Sequence, residues 1–243
     1  MFSKYFEEQS VRLHESLVLN LDKRGIQLPG KEKDLTIYKE LFTFIREHIP
    51  SEFSLATGRI RNNRHILNKN CDMLIYKKWC QKFLEMSGGY ILSDFVHVYM
   101  GLEADLTTEG VFNHSNMTNA VKSLYALGET DGETVDPERI IPLYSVLFAY
   151  KSSIPLLSHK KAISDAAEEK SLPLNHMMDM ICVLDQGLII RDWEKNGSYR
   201  VIETGKDTLL WFYTLLLEYL DRDGTVGLDP RKYIKDEKEY EEY

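Results

Sequence analysis

Two short apolar, β-branched runs with carboxylates at one end constrain this chain more than any other stretch. They are Cys71-Asp72-Met73-Leu74-Ile75-Tyr76 and Val96-His97-Val98-Tyr99-Met100-Gly101-Leu102-Glu103-Ala104-Asp105. Both read as strands. Side chains alternate along a strand, so Glu103 and Asp105 share a face two residues apart. With Asp72 on a neighbouring strand, three carboxylates would converge on a patch suited to a hard cation with oxygen ligands.

The rest of the chain alternates between helical and strand periodicities. Residues 5–22 carry Val11, Leu13, Leu17, Val18 and Leu21 at helical spacing, and the stretch 25–30, with Pro29, breaks that helix. A second helix is expected over 34–48, capped by Asp34 and striped with Leu35, Tyr38, Leu41, Phe42 and Ile45. Strands are expected at 53–60, with a bulge at Gly58, and at 72–77, 90–92 and 96–102. Residues 107–110 read as a turn, 116–127 as a helix and 128–138 as an acidic, flexible loop. The second half gives a strand at 140–149, a helix at 158–170 and a strand at 180–184. A hairpin about Asn196-Gly197 and an almost wholly apolar helix over 207–220 follow. This order predicts an α/β (α+β mixed) fold: a central mixed β-sheet flanked by helices. Most of it is expected as one domain, after an N-terminal helix in 1–24 and before an acidic tail at 236–243 that should fray. The apolar 207–220 helix is either core or the face of a homodimer.

Composition narrows the function classes. The 243 residues are enough to bury a sizeable core. No run approaches the roughly 20 apolar residues of a membrane span, and the N-terminal stretch lacks a signal-peptide core, so a cytoplasmic location is expected. Three cysteines without close spacing (Cys71, Cys80, Cys182) argue against a disulfide framework or a structural zinc site. The net charge of −8 weighs against general nucleic-acid binding. Even so, Arg59, Arg61, Arg64 and Lys69 form a local basic patch close to Asp72. No Walker loop, Gly-x-Gly-x-x-Gly or Gly-x-Ser-x-Gly is present.

Pro50, Thr57-Gly58, Asp72 to Tyr76, Val98 to Asp105, Phe148-Ala149-Tyr150-Lys151, Val183 to Gly187 and the closing Leu-rich helix come in an order that resembles a known group. It is similar to an uncharacterised bacterial domain family related to the PD-(D/E)-x-K nuclease superfamily, over roughly residues 25–235. The resemblance implies a restriction-endonuclease-like core and Mg²⁺-assisted phosphodiester hydrolysis. In that pattern Asp72 matches the first acid and Glu103 the second, and Asp105 stands where a lysine belongs. An aspartate there reverses the charge beside the attacked phosphate, though it could add a third metal ligand. Glu40 and Glu47 are candidates for a helical acid, and Lys151 for a displaced lysine.

Three functions stay open on these residues. One is a nuclease-like domain with a degenerate or inactive site, binding nucleic acid or a protein partner, in bacterial or phage conflict. Another is an active Mg²⁺-dependent endonuclease with Asp72, Glu103 and Asp105 as ligands. The third is an acidic protein-interaction or immunity factor, which the net charge favours. Each residue also has a plainer reading: strand-end acids capping turns, and basic residues guarding a sheet edge.

Overall fold

The computed structural model describes residues 2–22, 33–126, 142–193, 197–221, 232 and 240–243. Its elements run α1 (Phe2–Asp22), α2 (Lys39–His48), β1 (Phe53–Gly58), β2 (Ile60–Arg61), β3 (Cys71–Lys77), α3 (Gln81–Met86), β4 (Ile91–Leu92) and β5 (Val96–Asp105). They continue with α4 (Thr108–Ala126), β6 (Tyr144–Lys151), α5 (Leu156–Lys170), β7 (Met180–Val183), β8 (Gly187–Asp192), β9 (Ser198–Glu203), α6 (Thr208–Leu220) and β10 (Glu241–Glu242).

The central strands are apolar on both faces, so they need cover on both. Along β6, Val146, Phe148 and Tyr150 enter one core while Leu147 and Ala149 enter another. The same period-two split places Met180 and Cys182 of β7 in the first core and Ile181 and Val183 in the second. The first core is closed by Phe6, Leu13 and Leu17 of α1, Leu41, Phe44 and Ile45 of α2, and much of α6. The second draws on Val111 of α4 and on Leu156 and Ile163 of α5. Each such side chain, fully buried, contributes about 1.5–3 kcal/mol.

One sheet of eight strands results, in the order β1-β3-β5-β6-β7-β8-β9-β10. β5, β6 and β7 run parallel, and the other neighbours are antiparallel. Parallel neighbours need a crossover, which α4 supplies between β5 and β6 and α5 between β6 and β7. β2 and β4 form a separate parallel pair.

A buried polar cluster locks α4 to this frame. Lys122 Nζ donates to Asp179 Oδ2 and to the Met177 carbonyl, both at 2.7 Å. The same carboxylate oxygen accepts from the Ser145 amide (2.8 Å) and hydroxyl (2.7 Å). The Arg191 guanidinium lies 4.0 Å from Asp179 Oδ1 and stacks over Trp193. Burial holds the Lys122 ammonium below its ordinary pKa, with Asp179 opposing that shift.

Several elements depart from their expected form. Asp34 caps a 3-10 turn at Leu35–Tyr38 that leads into α2 rather than α2 itself. The expected 53–60 strand breaks at Gly58, where φ is +128° and the pairing with β3 shifts register. Residues 107–110 are a helix start, not a free turn: Thr107 Oγ1 accepts from the Gly110 amide at 3.0 Å. The described end of the acidic tail does not fray. Glu241 and Glu242 pair with β9, and the Tyr240 ring meets Trp211 edge-on. The apolar 207–220 helix is core, with Leu209, Leu210, Trp211, Phe212, Leu215 and Leu216 all buried. The apolar surface offered to a homodimer is therefore mostly used within the chain. The loop at 128–138 and Asn196 lie outside the described residues.

Candidate functional site

The parallel strands end on one side of the molecule, where open α/β sheets place their ligands. β3 enters there and β5 leaves there, because the two are antiparallel with Met73 opposite Met100. Asp72 and Glu103 are thereby brought together. Asp72 Oδ2 accepts from the Leu102 amide at 2.9 Å, which ties the carboxylate to the backbone just before Glu103. One ammonium joins the pair: Lys33 Nζ donates to Asp72 Oδ2 at 3.0 Å, to Glu103 Oε1 at 3.1 Å and to the Leu102 carbonyl. All three side chains are largely buried, between 14% and 27% exposed, so water screens the cluster only in part.

A histidine from α4 completes it. His114 Nε2 lies 2.8 Å from Glu103 Oε1, and its Nδ1 lies 3.5 Å from the Tyr99 hydroxyl. Tyr99 stays protonated, since burial, and beside it the charges of Asp72 and Glu103, push its pKa well up. With Glu103 ionised, the Nε2–H of the ring donates to its carboxylate. Gly101 makes room for this ring, because a Cβ there would collide with it. Tyr99, Gly101 and Glu103, two apart, thus all face α4. Burial alone would raise the Glu103 pKa, but the His114 hydrogen bond and the Lys33 charge outweigh it and hold the carboxyl below its usual range.

Asp105 is not part of this cluster. It is exposed and pairs with Lys151 of β6 at 3.4 Å, directly across the β5/β6 ladder. Lys151, the candidate displaced lysine, is thus engaged by Asp105. Glu40 contributes its charge near Tyr150, and Glu47 is exposed. Arg59 and Arg61 both lie over the Tyr90 ring, at 5.3 and 5.9 Å. Gly58 pairs with Cys71, so this basic stretch leaves the sheet beside Asp72. Arg59, Arg64 and Lys69 are exposed.

Lys33 and His114 escaped the sequence reading. Lys33 lies 39 positions from Asp72, outside any regular element, and His114 lies 11 positions past Glu103 on a helix. Neither spacing carries a periodic signal.

Two carboxylates and a carbonyl are the hard-oxygen donors that Mg²⁺ takes. Their common point is filled by Lys33, however, and among the described residues no group of three or more His, Cys, Asp or Glu could hold a metal ion. The donor set and Lys33 together do not fit a divalent ion. No helix among the described residues is long and apolar enough to cross a membrane.

No protein-family model matches the sequence, and no curated protein does. Solved structures do match. NucC of P. aeruginosa ATCC27853 in its cAAA-bound form aligns with a TM-score of 0.65 at 12% identity, over 90% of this chain and 91% of that one. NucC of E. coli MS115-1 in its cAAA-bound form aligns at 0.66 and 12%, over 90% of each chain. The apo form of the E. coli protein aligns at 0.62 and 13%, over 96% of this chain and all of that one. The chain shares with NucC a restriction-endonuclease-like fold, a large mixed sheet flanked by helices.

Proposed function

We propose that this chain is a nuclease-like domain that binds nucleic acid at the Asp72 end of its sheet without cutting it, in the setting of bacterial or phage conflict. The observation that carries this reading is the state of the acid pair. Asp72 and Glu103 converge as a nuclease would need, yet they meet the Lys33 ammonium, while Asp105 holds the lysine's place and neutralises Lys151. A site so arranged has a lysine at the point between its acids and places a carboxylate where positive charge should meet the phosphate. The fold shared with NucC supports the nuclease lineage. The conflict setting rests on analogy, since nuclease-like folds recur there. Binding is assigned to Arg59, Arg61, Arg64 and Lys69, where two guanidinium groups are held over Tyr90 beside Asp72.

The test uses the purified chain with single- and double-stranded DNA and RNA, in Mg²⁺ or Mn²⁺. It is run with and without cAAA, because NucC has been solved with cAAA bound. The expected result is binding without cleavage, weakened steeply between about 50 and 200 mM salt and lost when Arg59 and Lys69 become alanine. Metal-dependent cleavage abolished by Asp72→Ala would establish the active-endonuclease reading, which the convergence of the two acids favours. Indifference to every nucleic acid, with a copurifying protein, would establish the interaction-factor reading.

A further inference from the structure

The Lys33 ammonium has three donors and meets three oxygens, two from carboxylates and one from a backbone carbonyl. It lies nearly the same distance from each acid, 3.0 and 3.1 Å. This is the donor set, and the central placement, of a hard cation rather than of a lysine attached to one partner. We propose that Lys33 is the resident cation of this site: its ammonium takes the position a divalent ion would take, and the two exclude each other. The identity of the acid pair rests on the nuclease-like reading, but the exclusion itself involves no nucleic acid.

The charges explain why the position must be filled. Asp72 and Glu103 are each held in place, Asp72 by the Leu102 amide and Glu103 by the His114 ring. Without a cation between them, two partly buried like charges would oppose each other. A single positive charge offsets only part of that pair, whereas a divalent ion would match it in full. Removing the ammonium therefore leaves a two-carboxylate cage with a strong preference for a divalent ion. Lys33 is about a quarter exposed, so the cage is open to ions from solvent.

Mn²⁺ binding to the full chain, followed by the free-ion electron paramagnetic resonance signal and by thermal unfolding, tests this. Lys33→Met keeps an unbranched side chain, one atom shorter, and removes the charge. It should bind one Mn²⁺ at least about tenfold more tightly than the unaltered chain, and Mn²⁺ should raise its Tm. Lys33→Arg should remain blocked, and Lys33→Met with Asp72→Asn should lose the gain. Should Lys33→Met be unfolded alone, recovery of its fold in Mn²⁺ supports the proposal, and no recovery overturns it. Equal Mn²⁺ affinity with and without Lys33, or a folded Lys33→Met that binds none, overturns it as well. Because no readout here involves nucleic acid, failure of the chain to bind nucleic acid would count against the proposed function and leave this exclusion standing, whereas metal-dependent cleavage abolished by Asp72→Ala would overturn both.

Discussion

At the scale of single residues, Gly101 and Glu103 decide the shape of the acid pair. Gly101 is there because His114 lies against its Cα, and only that close approach lets the ring span Tyr99 and Glu103. Gly101→Ala should push His114 away and cost about 1–3 kcal/mol of stability, read from urea unfolding. Adding His114→Ala should return part of that loss, since the new methyl then fills the vacated space. A double variant no more stable than Gly101→Ala alone would show that the ring is not what the methyl meets. Glu103 sets a pH dependence. Its folded pKa is depressed, so its stabilisation is complete above the unfolded value of about 4.3 and disappears as pH falls through the lower folded value. The stability gap between the unaltered chain and Glu103→Gln should therefore be constant at neutral pH and close on acidification below about pH 4.3. A gap that widens in acid would reverse the assignment.

At the scale of elements, the Asp179 cluster holds α4 and β6, β7 and β8 in one frame. Asp179 stands between two buried cations, Lys122 and Arg191, and caps the Ser145 amide as well. Asp179→Ala would strand both cations without their counter-ion and should cost about 3–5 kcal/mol, with a matching fall in the denaturant midpoint. Asp179→Ala with Lys122→Met should be less costly than Asp179→Ala alone, because one stranded charge is gone. How much of this was legible follows from where the information lies. The strands β3, β5, β6 and β7 were readable because apolar residues on both faces leave a run that little else explains. The meeting of Asp72 and Glu103 at one sheet end is legible because an acid at the end of such a run is conspicuous. α4 starts earlier than the sequence pattern implies, since Thr107-Thr108-Glu109-Gly110 has the chemistry of a turn and of an N-cap alike, and only the helix that follows decides between them. The pairing of β2 with β4 was not readable, because a two-residue ladder has no periodicity. Lys33 was not readable either, since a single lysine outside any element is placed by the sheet end and not by its neighbours in sequence.

At the scale of the whole molecule, strand order separates charge. The basic stretch leaves the sheet at the β1 edge, and the acidic Glu241–Glu242 strand closes the opposite edge. Eight strands span seven intervals of about 4.8 Å, so the two edges lie about 34 Å apart. That is about four Debye lengths at physiological salt. The net charge of −8 is therefore a poor guide to what the β1 edge can bind, and local charge near Arg59 governs it. Deleting residues 240–243 should leave nucleic-acid affinity at about 0.15 M salt within about twofold of the unaltered chain. The same deletion should lower Tm, because Tyr240 packs on Trp211 and donates to Asp207 at 3.2 Å, and Tyr243 continues the ladder on Val201. At about 10 mM salt the Debye length grows to about 30 Å, and the acidic edge should then begin to weaken binding at the basic one. An anisotropy titration of a labelled oligonucleotide at both salt concentrations separates these cases. A large gain in affinity on deletion at about 0.15 M would place the binding surface near β9 and β10 instead of beside Asp72.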